Sequence, residues 1–288
     1  MNNAVRVQDV AGAVRALGLQ NRPVCLHSSL RSFGFVEGGA EAVVQGFLNE
    51  GCTVMVPTFT YEEVAPPAEQ SPLQNGYDYA RSTTASAQPK TVYSPDSADV
   101  ADDMGAIPQA LLKMPERARG DHPLDSFSAV GPLAHTLIGV QTSVDVYAPF
   151  RRLVELGGYV LLLGVGLNRM TLLHEAERQA GRNLFWRWAH TKNGETVSVR
   201  VGGCSEGFEN LAPALAGLER THRVGQSLWR VFPAQETLAR AAAAIRARPP
   251  LTGCSDTTCE RCRDALRGGP NAGAAFEVRM RRTWRSNV

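Results

Sequence analysis

The segment that most restricts the fold is Gly158-Tyr159-Val160-Leu161-Leu162-Leu163-Gly164-Val165-Gly166, an apolar run closed at both ends by glycine. A strand with one wetted face alternates apolar and polar residues, whereas a continuously apolar strand must be covered on both faces. Such a strand belongs inside a sheet held between layers of helix. The N-terminal part of the chain supplies companions. Val5 to Gly18 reads as a short amphipathic helix, Pro23 to Leu26 as a buried strand, Ala40 to Asn49 as a helix and Thr53 to Pro57 as another strand. Strand, helix and strand in about 35 residues form a βαβ unit with a parallel strand pair.

Downstream, Glu62 to Asp103 contains Pro66-Pro67, Asn75-Gly76 and Ser82-Thr83-Thr84 with few aliphatics, and reads as a long irregular excursion, either a disordered insertion or a loop over a substrate. Met104 to Lys113 is a short helix, and Ser128 to His135 a strand passing into a helix. Met170 to Arg178 follows the central strand with good helix formers. Phe185 to His190 and Thr196 to Val201 alternate in character around Asn193-Gly194, a strong hairpin signal. Gly217 to Arg223 shows no readable pattern, and Thr237 to Arg248 is helical before Pro249-Pro250.

Hydrophobic residues make up 43% and charged residues 20% of the 288, the composition of a globular chain with a sizeable core. Thirty Lys and Arg against 28 Asp and Glu leave a formal charge of +2, so the charge balance gives no case for nucleic acid as a partner. Only Lys90, Lys113 and Lys192 are lysines; the arginine excess reflects coding bias or guanidiniums that bind phosphate. Arg279, Arg281, Arg282 and Arg285 read as a solvated tail. No apolar run reaches the roughly 20 residues of a membrane span, and residues 1–20 lack a signal-peptide layout. Six cysteines without a secretory context point to a reducing cytoplasm.

Two constellations carry chemistry. Thr171, His174 and Glu177 recur at i, i+3 and i+6, so adjacent members share a helix face just after the glycine turn Gly164-Val165-Gly166. That arrangement presents a hydroxyl, an imidazole and a carboxylate near a strand's C-terminal end, where backbone amides also approach a ligand. The imidazole would take a proton while the carboxylate holds its tautomer. A helical histidine bonded to a nearby loop satisfies the same spacing. Cys254, Cys259 and Cys262, with Cys204 as fourth donor, suit tetrahedral zinc, although free thiols or one disulfide fit the same residues. Cys25 and Cys52 lie in apolar strand contexts and belong to the core, while His135, His190 and His222 have no companions in sequence.

The segments His27 through Gly34, Val56-Pro57-Thr58, Met104-Gly105, Arg119 through Phe127, Leu161 through Glu177, Gly203 through Phe208 and Cys259 through Arg263 occur in one collinear order. In that order they resemble the aminoglycoside 3-N-acetyltransferase family. The resemblance implies a single-domain, three-layer αβα fold with a mixed central sheet, unlike the fold common to most other N-acetyltransferases. It implies acetyl-CoA as cosubstrate and the 3-amine of a 2-deoxystreptamine aminoglycoside as acceptor, with direct transfer in a ternary complex. His174 matches the family's general base and Thr171 the hydroxyl beside the thioester, with Glu177 or Glu206 orienting the base or the substrate. Ser28, Ser29, Leu30, Arg31 and Ser32, with Arg119, His122 and Ser126, are the expected contacts to CoA.

A polycationic acceptor requires anions, because desolvated ammonium groups without partners are costly. Glu62, Glu63, Asp102, Asp103, Glu177 and Glu206 are the candidates, with Glu206 favoured because it lies in a matching segment. The family pattern after the glycine turn is His-Asp-x-Asn-Thr, whereas Leu167-Asn168-Arg169-Met170-Thr171 keeps only the threonine. That departure admits an alternative acceptor, another small-molecule amine, and the cysteine cluster admits a non-catalytic zinc-stabilised binding protein. The expected organisation is a catalytic domain over residues 1–265 and a tail over 266–288, as monomer or homodimer.

Overall fold

The computed structural model describes residues 4–66, 72–77, 92–190 and 194–270. Asn193, Ser82-Thr83-Thr84, Lys90, Lys192 and the four C-terminal arginines lie outside the described residues, as do residues 67–71 and 78–91 of the 62–103 excursion and most of the 266–288 tail.

In chain order the elements are α1 (Val7–Ala16), β1 (Pro23–Ser28), α2 (Gly39–Leu48), β2 (Thr53–Pro57), α3 (Ala106–Leu111), β3 (Ala118–Arg119), β4 (Phe127–Val130), α4 (Ala134–Ile138) and α5 (Ala148–Glu155). They continue with β5 (Tyr159–Leu163), α6 (Leu172–Gln179), β6 (Phe185–His190), β7 (Thr196–Val201), α7 (Ala212–Leu215), β8 (Arg220–Val224), β9 (Ser227–Pro233), α8 (Ala234–Ala247) and α9 (Glu260–Leu266). Seven strands form one mixed sheet in the order β3-β4-β2-β1-β5-β9-β8, and β6 and β7 form a separate hairpin.

The apolar run is β5, near the middle of that sheet. It runs parallel to β1, with His27 beside Leu162, and antiparallel to β9, with Leu161 beside Val231. Its residues divide by parity, as a pleated strand requires. Val160 and Leu162 enter a core filled by α4, α5, α6 and α8, and Leu161 and Leu163 enter the opposite core beneath α1, α2 and α3. Two cores on two faces of one sheet make the three-layer αβα architecture. Cys25 and Cys52 are fully buried in it.

The part that showed no pattern, Gly217 to Arg223, is where β8 forms. This edge strand pairs antiparallel with β9, and its Arg220, Thr221 and Arg223 are exposed. A charged edge strand resists pairing with other chains, and the same charges erase its alternation. β9 returns into the core, where Trp229 stacks on Phe47 with centroids 5.4 Å apart. The described parts of the excursion are tied to the hairpin: the Val64 N–H donates to the Trp188 carbonyl at 2.9 Å, and the Asn75 side chain pairs with both backbone groups of Trp186.

Because Leu162 is fully buried in the core beneath α6, Leu162→Ala should cost about 2–5 kcal/mol by leaving a cavity. Urea unfolding should show the loss as a lower midpoint with an unchanged slope.

Candidate active site

β1 pairs with β2 on one side and β5 on the other, both parallel to it. Where connections leave a strand in opposite directions, a crevice opens beyond the carboxyl ends, the usual ligand position in an open α/β sheet. A cleft of about 850 Å³ lies there, lined by Ser28 to Arg31 after β1, Phe59, Tyr61 and Glu63 after β2, Asn168 to Thr171 after β5, and Gly202 to Glu206 after β7.

His174 and Glu177 meet one helical turn apart on α6. The Nδ1 of His174 lies 2.9 Å from Oε2 of Glu177, and both side chains are buried while His174 borders the cleft. Oε1 of Glu177 accepts from Arg182 and, at 3.0 Å, from the Thr252 hydroxyl. A carboxylate so supplied with donors stays an acceptor, so Nδ1 carries the hydrogen and Nε2 keeps its lone pair. The imidazole stacks on Tyr147 (centroids 5.9 Å, 13°) and meets the edge of Phe208 at 4.8 Å. Gly202 permits this packing, since a Cβ there would lie 2.3 Å from the Tyr147 hydroxyl and 2.8 Å from the imidazole. Thr171 borders the cleft at the start of α6.

Several expected contacts fall elsewhere. Ser28, Ser29, Leu30 and Arg31 line the cleft, but the Ser32 hydroxyl turns inward, donating to the Ser29 carbonyl at 2.7 Å and bonding the Ser227 hydroxyl at 2.8 Å. Arg119 does not line the cleft. It is buried, and its guanidinium donates to the carbonyls of Thr58, Ser97 and Asp99 and to the Ser126 hydroxyl, leaving it committed to the fold. Ser126 donates to the Thr58 carbonyl, also in the interior. His122 is fully buried, donates through Nε2 to the Arg200 carbonyl and accepts the Asp125 N–H at Nδ1, 2.8 Å away. Burial lowers its pKa to about 4, so it is a neutral bracket for the Asp125 loop.

Of the acidic candidates, Glu63, Asp103 and Glu206 line the cleft, whereas Glu62 and Asp102 lie outside it. The glycine turn differs from the expected anion cradle, because the Leu167 N–H donates to Glu209 instead of standing open to a ligand. Arg169 faces the cleft, and with burial as the larger cause and the Arg169 charge as the lesser, the His27 pKa is lowered to about 3.

Sequence reasoning missed Tyr147, Arg261 and Asp125, all in the cleft wall. Tyr147 carries no local signal. Asp125 sits between His122 and Ser126 in a recognised segment, and its carboxylate beside a His-Pro turn is the available clue. Burial first, then the nearby Glu63 charge, raises the Asp125 pKa to about 7 against the opposing pull of Arg261 and Arg187. The four thiols of Cys204, Cys254, Cys259 and Cys262 come together beside the cleft, their Sγ atoms all within 4.8 Å of one another.

Fold and site together define an α/β enzyme with a buried histidine–carboxylate pair at the crevice of its sheet. Residues 25–246 match the model of the aminoglycoside 3-N-acetyltransferase family, and the chain belongs to that family. It is 32% identical over 253 residues to an aminoglycoside N(3)-acetyltransferase III from Salmonella, covering 79% of this chain and 86% of the relative. The aminoglycoside N(3)-acetyltransferase VII of Streptomyces paromomycinus is 30% identical over 258 residues, covering 80% and 87%. Among solved structures, the aminoglycoside acetyltransferase AAC(3)-Xa superposes with a TM-score of 0.68 at 26% identity over 85% of this chain and 93% of its own. The AAC(3)-IVa apoenzyme shares the fold with a TM-score of 0.72 at 24% identity over 93% and 99%.

The raised Asp125 pKa sets a direction for stability. The folded state holds this proton more tightly than the unfolded chain, so its contribution is full below about 4 and is lost as pH rises to about 7. Asp125→Asn should remove that loss, which is at most about 1.4 kcal/mol per pH unit. Unfolding midpoints of both proteins across the window should therefore differ with a slope of this sign.

Proposed function

We propose that the protein transfers the acetyl group of acetyl-CoA to the 3-amino group of a 2-deoxystreptamine aminoglycoside, directly and in a ternary complex. The observation that carries this reading is the His174–Glu177 pair, 2.9 Å apart and buried at the edge of the cleft. The relatives named as N(3)-acetyltransferases support it, as do fold neighbours solved with CoASH and with apramycin.

The acceptor amine is an ammonium ion in water and gives one proton to solvent before it enters the cleft, which frees its lone pair. As that lone pair attacks the thioester carbonyl, Nε2 of His174 accepts a proton from the nitrogen, and Glu177 steadies the imidazolium through Nδ1–H. The tetrahedral intermediate then collapses, the carbon–sulfur bond breaks, and CoA leaves as a thiolate that takes a proton from the imidazolium or solvent. The Thr171 hydroxyl donates to the developing oxyanion or to the departing sulfur. Ser28 to Arg31 receive the CoA arm, with the Arg31 guanidinium available to phosphate. Glu63, Asp103, Asp125 and Glu206 meet the ammonium groups of the acceptor, and a bound cation would draw Asp125 into its ionised form.

One chain supplies every group named, so the reading asks for no partner subunit. We assign the reaction to the cytoplasm, where its thioester donor is available; no helix among the described residues is long and apolar enough to cross a membrane. A second reading, another small-molecule amine as acceptor, is favoured by one observation: the fully buried Met170 lines the cleft where the family pattern has a polar residue.

Thiol release from acetyl-CoA in the presence of an aminoglycoside panel tests the proposal. Turnover with 2-deoxystreptamine compounds and an acetyl group on the 3-amine are expected, and His174→Ala should lower kcat by about 10²–10⁴-fold with CoA affinity retained. Tight CoA binding without turnover on any aminoglycoside would favour the second reading. An unchanged kcat in His174→Ala would remove the mechanism.

A further inference from the structure

The cysteine cluster joins two distant parts of the chain. Cys204 follows β7 through Gly202-Gly203, Cys254 closes the turn after α8, and Cys259 and Cys262 sit at the start of α9, Cys259 as its N-terminal cap. All four Sγ atoms lie within 4.8 Å of one another, and those of Cys254 and Cys262 are 3.6 Å apart. Four sulfurs placed tetrahedrally at about 2.3 Å from a zinc ion stand about 3.8 Å apart, close to that spacing. A disulfide needs about 2.0 Å and joins only two of the four. The Cys254 N–H already points at the Cys262 sulfur, 3.4 Å away, the kind of donor that a metal-bound thiolate accepts. Soft thiolate donors in a tetrahedron select zinc or iron over magnesium and calcium.

The surroundings make this cluster more than a surface staple. Cys204, Ser205, Glu206 and Arg261 all line the catalytic cleft. Gly207 touches the opposite segment backbone to backbone, since a Cβ there would lie 2.3 Å from the Gly253 carbonyl oxygen and 2.4 Å from that of Thr252. Thr252, two residues before Cys254, donates to Oε1 of Glu177 at 3.0 Å and receives Arg182 at 2.6 Å.

We propose that Cys204, Cys254, Cys259 and Cys262 hold one zinc ion, and that this ion fixes the acceptor side of the cleft. It does so by tying the Gly202–Glu206 wall to the segment that supports Glu177. Without the ion, Glu206 and Arg261 lose their fixed positions and the Thr252 hydroxyl is no longer held against Glu177. Among the described residues the turn after β1, which receives CoA in the proposed reaction, is bonded to Leu163 and Ser227 and not to the cluster, so it keeps its shape. The metal site stands on its geometry alone, while its effect on acceptor binding rests on the proposed function.

The test uses untagged full-length protein prepared without chelator. Elemental analysis should find one equivalent of zinc, and a zinc-sensing dye should report its release as a mercurial titrates the four thiols. Removal of the metal should lower the melting temperature, and Cys262→Ser should bind zinc more weakly. Calorimetry should show aminoglycoside affinity falling by about tenfold or more on zinc removal and recovering when zinc is added back, with CoA affinity unchanged throughout. Zinc well below one equivalent, iron in its place, or a disulfide found by mass spectrometry would overturn the site. Zinc that is present but whose removal leaves aminoglycoside affinity untouched would overturn its role in the cleft. A zinc-loaded protein that binds CoA but no aminoglycoside would count against the proposed acceptor and leave the metal site standing.

Discussion

The arrangement depends on one buried carboxylate, Glu177. Taking an anion out of water costs several kcal/mol unless donors replace its hydration. Here His174 fills one oxygen, and Arg182 and Thr252 fill the other. Arg182 also donates to the Pro249 carbonyl, so the segment that follows α8 is fastened to α6 through the same cluster. The histidine tautomer, the position of α6 beside the cleft and the path of the C-terminal segment are therefore three consequences of one satisfied charge.

Sheet topology decides where that charge is useful. β1 turns toward β2 on one side and β5 on the other, so the segments leaving all three strands converge on the same crevice. The segment after β1 brings small hydroxyls and Arg31, while Glu63, Asp103 and Asp125 gather near Tyr61 and Arg261. An overall charge of +2 is compatible with this local division and gives no sign of it.

What is legible in the sequence follows from the range of the interactions. The run from Tyr159 to Leu163 announces a strand covered on both faces, and its residues do alternate between the two cores. The His174–Glu177 contact is legible because three residues along a helix is a local distance. Cys259 and Cys262 are legible for the same reason, and Cys204 only as the remaining polar-loop cysteine. Arg119, His122 and Ser126 lie in a segment shared with the family, but their partners Thr58, Asp99 and Arg200 are distant in sequence, so their commitment to the interior is invisible there. Tyr147 stacks on His174 from the turn that caps α5, and β8 hides among surface charges. In each case the deciding contact is tertiary.

Glu177 holds His174 with hydrogen on Nδ1 and a bare Nε2, the form that the proposed transfer requires. Nitrogen-15 NMR of imidazole-labelled protein in mildly alkaline buffer reads this directly. The His174 resonances should show a protonated Nδ1 and an unprotonated Nε2, with that preference lost in Glu177→Gln. A predominant Nε2–H tautomer in the wild-type protein would contradict it.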